Sequence, residues 1–224
     1  VLAWDAPGCG GSADPTADLS LADYADAVAA LIGALGIGPV HLAGHSFGAG
    51  LAIEVYARHG QLVRCLVLSG AYAGWRGSLP PAEVEARRKR ALADFGRPPA
   101  EWADSYLTGF FSRSVPLQTV EAARAMMLDV RPAGARSMLT AFANADLRAV
   151  LPTISVPTLL VYGSEDVRAP RGVAEALHAA IPGSQMILIP EAGHDVNLEA
   201  PQEYDAAVRT FLQMVDDQAE PERR

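Results

Sequence analysis

Apolar and polar positions fall into two regimes along this chain. Short unbroken apolar runs at residues 1–4, 40–43, 64–69, 156–163 and 185–189 are bounded by glycine, proline or charged residues, which predicts buried strands. Between them the spacing becomes helical. Leu21, Tyr24, Val28, Leu31, Ile32 and Leu35 share one face, with Ser20 and Asp23 placed as a short capping box and Gly36 as the stop. Residues 51–58 continue as a helix straight after the 40–43 run, and 171–180 form another. Residues 201–215 are amphipathic, with Tyr204, Val208, Phe211 and Leu212 inward. Strand and helix alternate, which predicts an α/β fold: a mostly parallel sheet flanked by helices, joined by right-handed crossovers.

The alternation stops between residues 74 and 151. No strand pattern is visible there, and Pro80, Pro81, Pro98, Pro99, Pro116 and Pro132 separate helix-length segments at 83–95, 102–111, 120–128 and 133–144. A helical insertion without a sheet partner reads as a lid over the functional end of the sheet. The organisation is then 1–73 and 152–215 for the two parts of the core, 74–151 for the lid, and 216–224 for a charged, frayed tail. Trp102, Tyr106, Phe110, Met126, Met127, Met138 and Phe142 fit a small core of the lid itself. Trp102, Phe110, Met138 and Phe142, with His45, are also the candidates for contact with a substrate. The run Arg87-Arg88-Lys89-Arg90 reads as a solvated helix face, with an anionic-ligand site as the lesser alternative.

Charge and composition narrow the class. A net charge of −8 argues against nucleic acid or an anionic membrane surface as the partner. No apolar run reaches the roughly 18 residues of a membrane span, and no secretory signal is visible. Cys9 and Cys65 are far apart and form no metal-spaced cluster, so no metal is expected, and two unpaired thiols suit a reducing cytoplasm. The loop Asp5-Ala6-Pro7-Gly8-Cys9-Gly10-Gly11-Ser12 lacks the Lys-Ser/Thr of a phosphate cradle and reads as a tight structural loop.

The chemistry centres on Gly44-His45-Ser46-Phe47-Gly48. A serine between glycines at a strand-to-helix turn has its hydroxyl pushed out over a helix N-terminus, where the dipole and the Phe47 N–H favour negative charge. Gly44 and Gly48 are the positions where a side chain would collide with the neighbouring strand or helix. Two further loops leave the same sheet edge, Gly163-Ser164-Glu165-Asp166 and Ala192-Gly193-His194. A serine needs a base to become a nucleophile, a histidine can shuttle the proton, and a carboxylate fixes the histidine's tautomer. Ser46, His194 and Asp166 are the residues expected to do this, with Glu165 and Asp195 as rivals for the acid.

These three motifs, in the order Ser, Asp, His, resemble those of the α/β-hydrolase fold superfamily in its lid-bearing, esterase- and lipase-like branch. The resemblance runs from Val1 to about Val215 and implies an α/β-hydrolase fold and a cofactor-free serine hydrolase. Its substrate would be a small-molecule carboxylic ester or lactone, cleaved through an acyl-enzyme on Ser46, with Phe47 N–H in the oxyanion hole. Serine in place of aspartate at position 46 is unlike the dehalogenase and epoxide hydrolase branches. Carbon–carbon bond hydrolysis with the same triad is the enzymatic alternative, and a non-catalytic ligand-binding member of the fold is the other. The resemblance also implies strands before Val1, one lying between the 1–4 and 40–43 strands and ending in a His-Gly loop that supplies a second oxyanion donor. The sequence therefore reads as an N-terminally shortened form, with turnover lower by about 10²–10³ for one lost donor.

Overall fold

Along β2 (Val63–Ser69), Leu66 and Leu68 point into one core while Cys65 and Val67 point into another, so a strand buried on both faces has an unbroken apolar run. It is the second strand of a four-stranded parallel sheet with β1 (Val40–His45), β3 (Thr158–Gly163) and β4 (Gln185–Ile189), ordered β1-β2-β3-β4. The protein is seen here as a computed structural model that describes residues 1–112 and 115–219. Ten α-helices accompany the sheet among those residues. α1 (Leu21–Leu35) and α2 (Phe47–His59) precede and follow β1. α3 (Trp75–Ser78), α4 (Pro81–Asp94), α5 (Ala103–Leu107), α6 (Leu117–Leu128) and α7 (Pro132–Asn144) make up the insertion between β2 and β3. α8 (Arg171–Ala180), α9 (Val196–Glu199) and α10 (Pro201–Ala219) complete the core.

The larger core joins α1, α2, α8 and the insertion to one face of the sheet. The smaller one packs Phe211 and Val215 of α10, with Tyr204, Val208 and Leu212, against Cys65, Val67, Leu159, Val161 and Ile189. The helix signals in the sequence act as expected at α1. Ser20 Oγ accepts the Asp23 N–H at 3.2 Å, Asp23 accepts the Ser20 N–H at 2.8 Å, and Gly36 ends the helix with φ 63°. Among the described residues no helix is long and apolar enough to cross a membrane.

Residues 1–4 are not a strand. Val1 and Leu2 lie exposed and Trp4 only partly buried, because β1 pairs with β2 alone and its other edge offers these residues no ladder. The apolar run there has the composition of a strand without a partner. The glycine-rich loop that follows closes on itself, Gly8 N–H donating to Ala13 C=O and Ser12 N–H to Cys9 C=O, as the structural reading expects. Gly8 and Gly134 are in backbone contact, so a Cβ on Gly8 would lie 2.4 Å from Gly134 Cα. The segment expected to be helical over 102–111 stops at Leu107, since Gly109 takes φ 88° and turns Phe110 and Phe111 toward the sheet edge. The last helix outruns its expected end at 215. Asp216 is held there by His41 Nε2 at 3.1 Å and Arg64 at 3.4 Å, while the remaining tail residues 220–224 lie outside the described residues.

Candidate active site

Ser46 sits between β1 and α2 with φ 51° and ψ −110°, a conformation an L-residue adopts only under constraint. The constraint is visible. Ser46 N–H donates to Ser69 C=O at 2.8 Å, and its own C=O accepts from Ala49 and Gly50 as α2 begins. A Cβ on Gly44 would stand 2.2 Å from Gly48 C=O, so that glycine is obligatory. Gly48 is different from expectation, since a Cβ there meets nothing within 4 Å. The crowded position is Gly50, one turn of helix from Ser46, where a Cβ would come within 2.3 Å of the Phe142 ring.

Two loops deliver partners to this hydroxyl. His194 follows β4 and is 1% exposed. Its Nε2 lies 3.0 Å from Ser46 Oγ, and its Nδ1 lies 2.8 Å from Asp166 Oδ2. A carboxylate can only accept, so Nδ1 carries the proton and Nε2 offers its lone pair to the serine O–H. Asp166 is fixed in turn, its Oδ1 accepting the N–H groups of Arg168 and Ala169, both at 2.8 Å. Glu165 is exposed and holds Ala192 C=O through its backbone N–H. Asp195 faces His45, at 3.0 Å from its Nε2. Only Asp166 among the three acids reaches His194 Nδ1.

Burial pushes the His194 imidazole below its ordinary pKa. The Asp166 carboxylate pulls it up, and His45 and Arg168 add to the lowering. Desolvation wins, although an ion partner sits beside the ring, because the ring is almost wholly removed from water.

Above Ser46 lies a cavity of about 640 Å³ between the sheet edge and the insertion. Trp102, Phe110, Met138 and Phe142 all line it; Trp102 and Phe142 belong to the main core, Met138 packs on it, and Phe110 is buried beside it. The two readings of those residues therefore describe one wall. Phe142 meets the Phe47 ring at 5.4 Å and the Tyr72 ring at 6.1 Å. His45 is not in the cavity wall. Its ring packs 4.9 Å from the His194 ring and pairs with Asp195.

Several supports of this site carry no local signal in the sequence. Gly70, just past β2, has φ 52°, and a Cβ there would lie 2.9 Å from His194 Cε1. Phe110 C=O accepts the His194 N–H at 2.7 Å and the Asp195 N–H at 3.2 Å. Glu199 accepts Gly193 N–H and Ser112 N–H, both at 2.8 Å. The Ser-Gly after an apolar strand could have marked Gly70; nothing near Phe110 or Glu199 points to the histidine. Among the described residues no group of three or more His, Cys, Asp or Glu is placed to hold a metal ion.

A family model described as the Alpha/beta hydrolase family matches residues 1–207. The chain belongs to the alpha/beta hydrolase family. As such it is a hydrolase. An (E)-2-((N-methylformamido)methylene)succinate hydrolase of Acinetobacter baylyi is 30% identical over 95% of this chain and 80% of its own. A pimeloyl-(acyl-carrier protein) methyl ester esterase of Neisseria meningitidis is 28% identical over 97% of this chain and 70% of its own. Among solved structures, a thermophilic esterase from Thermogutta terrifontis superposes with a TM-score of 0.86 at 28% identity, covering 94% of this chain and 78% of its own.

Proposed function

We propose that this alpha/beta hydrolase cleaves a small-molecule carboxylic ester or lactone through an acyl-enzyme on Ser46. One observation carries the reading: the unbroken line Ser46 Oγ, His194 Nε2, His194 Nδ1, Asp166 Oδ2, with steps of 3.0 and 2.8 Å across the ring, its Ser46 end in the wall of a cavity large enough for a small molecule. Ser46 Oγ attacks the acyl carbon as His194 Nε2 takes its proton. Negative charge on the carbonyl oxygen is met by the Phe47 N–H at the head of α2. Collapse of the tetrahedral adduct breaks the ester C–O bond, and His194 returns the proton to the leaving alkoxide. Water then attacks the acyl-enzyme, gives its proton to His194, and frees the acid and Ser46. Asp166 keeps Nδ1 protonated and steadies the imidazolium in both halves. The insertion acts as a lid, with Trp102, Phe110, Met138 and Phe142 as the apolar walls of the substrate space. His45 stands behind His194 rather than against substrate. The two free thiols suit a reducing compartment.

Treatment with a fluorophosphonate probe tests this, read by intact and peptide mass spectrometry beside Ser46→Ala, with a short-chain 4-nitrophenyl ester and a lactone as substrates. One adduct on Ser46, absent from the alanine variant, together with turnover of either substrate class is expected. A purified, folded chain that takes no adduct and turns over neither class would refute the proposal.

A further inference from the structure

The cavity over Ser46 is apolar in its greater part, yet one arginine in its wall is unmatched. Arg168 follows the candidate acid by two residues, and its backbone is held at both ends. Its N–H donates to Asp166 Oδ1, and its C=O accepts from Tyr72 Oη and Arg87 Nη1. From that anchor the guanidinium lies 4.1 Å over the Phe110 ring and 5.3 Å from the Tyr106 ring. Among the described residues no Asp or Glu carboxylate comes within 4.0 Å of it. The neighbouring arginines are spent otherwise. Arg87 gives Nη2 to Glu83, and Arg90 faces Asp94 at 3.9 Å. Asp5, in the same wall, accepts the Gly11 N–H and forms no pair with Arg168.

The guanidinium is held by the Phe110 and Tyr106 rings and by a hydrogen bond with the Tyr106 hydroxyl, but it has no ion-pair partner among the described residues. Its fork of donors matches a carboxylate in two parallel hydrogen bonds. Arg168 also lines a second recess of about 190 Å³ beside the main cavity, shared with Trp75, Arg87 and Tyr106 and bordered by Arg90. The charge run 87–90 is therefore only in part a solvated helix face, since Arg87 turns toward this recess while Arg90, at its border, stays exposed to solvent.

We propose that Arg168 is a specificity-determining residue that binds a free carboxylate on the substrate, so that the enzyme favours a mono-anionic half-ester or carboxyl-bearing lactone over a neutral one. Arg168 is a cation without an ion-pair partner among the described residues, and its place in the wall of the Ser46 cavity puts the carboxylate it would bind on the molecule being cleaved. The inference rests on the hydrolytic reading of Ser46 for the word substrate, while the anion site itself does not.

The test separates binding from turnover. In a Ser46→Ala background, Trp75 and Trp102 fluorescence is titrated with monomethyl glutarate, dimethyl glutarate and inorganic phosphate. The half-ester is expected to bind about ten- to a hundredfold more tightly than the diester, the range of one charged hydrogen-bonded pair. Arg168→Gln should erase that difference and Arg168→Lys should restore part of it. In the Ser46-containing enzyme, the ratio of kcat/KM for the half-ester to that for the diester should fall by the same factor in Arg168→Gln. Equal binding of half-ester and diester, or a preference untouched by Arg168→Gln, overturns the proposal. Phosphate binding more tightly than the half-ester overturns the carboxylate assignment. An Arg168-dependent preference in a chain whose Ser46 takes no fluorophosphonate would sink the hydrolytic reading and leave the anion site standing.

Discussion

Replacing Gly70 by alanine sets a methyl group against the one histidine that touches Ser46. The new Cβ would lie 2.9 Å from His194 Cε1, 3.1 Å from Nδ1 and 3.3 Å from His45 Cε1. To regain ordinary van der Waals contact the His194 ring must retreat by about half an ångström, away from β2. Its Nε2 to Oγ and Nδ1 to Oδ2 distances, now 3.0 and 2.8 Å, cannot both survive that shift. A misplacement near 1 Å costs about a hundredfold in rate, so a loss of about ten- to a hundredfold in kcat/KM is expected. A second cost is independent of the contact. Alanine at φ 52° pays about 1–2 kcal/mol for the left-handed backbone, which lowers Tm by about 2–8 °C in a chain of this size. Gly36→Ala is the matched control, because Gly36 has φ 63° and nothing within 4 Å of its Cβ position. Ester hydrolysis and thermal melting of both variants are measured side by side. The two should lose similar Tm, and only Gly70→Ala should lose activity. If Gly70→Ala keeps activity within about twofold while its Tm falls, the glycine serves the turn alone and the reasoning about the histidine is wrong.

Four further outcomes follow from the same site. Since burial lowers the His194 pKa, the acid limb of the kcat/KM profile should fall below about 6.5, the value for a free imidazole; a limb above 7 refutes burial as the dominant cause. The same shift bears on stability: the unfolded His194 takes up a proton near 6.5 that the folded one refuses, so its contribution is complete above that pH and is lost as pH falls toward the folded value, to be followed by urea unfolding at pH 7 and 5. Asp166→Asn should lower kcat by about 10³–10⁴ by removing the acceptor that sets the His194 tautomer, whereas Glu165→Gln and Asp195→Asn should cost far less, and an equal loss at Asp195 would move the acid's role there. In hydrogen exchange, the N–H groups of Ser112, Gly193, His194 and Asp195 should be protected more than the exposed turn of α6 around Met126 and Leu128.

What the sequence makes legible here is what depends on near neighbours in the chain. Strand β4 and helix α8 begin and end where the apolar pattern places them, because burial on one or both faces writes itself into every residue of the element. The capping box at Ser20 and Asp23 is legible for the same reason. The elbow is legible through Gly44, whose crowding against Gly48 C=O comes from four residues away. Long-range demands leave weaker marks. Gly50 is a glycine because the Phe142 ring, ninety-two positions on, occupies the space beside it. Residues 1–4 have a strand's composition and no strand's structure, since a strand exists only with the partner that takes its hydrogen bonds. Arg168 reads as an ordinary loop arginine until the fold puts Phe110 beneath it.

The insertion is as much a part of the candidate site as the sheet is. Phe110 belongs to it, and Phe110 C=O accepts the N–H groups of both His194 and Asp195 while the Phe110 ring meets the His194 ring edge-on at 5.6 Å. The same ring carries the Arg168 guanidinium on its other contact, 4.1 Å away. Glu199, from α9, ties Ser112 to Gly193 and closes the clamp. A motion that lifted residues 110–112 from the sheet edge would therefore break the two hydrogen bonds to Phe110 C=O and the one from Ser112 N–H to Glu199, and release the histidine from its position near Ser46. On the side bearing α6 the insertion is looser, with Leu117, Met126 and Leu128 exposed and Met126 and Met127 reaching the cavity wall. The helical segment thus holds the histidine loop through Phe110 and Ser112 on one side and lines the cavity with Met126 and Met127 of α6 on the other, with Gly109 at φ 88° closing the helical part of the first.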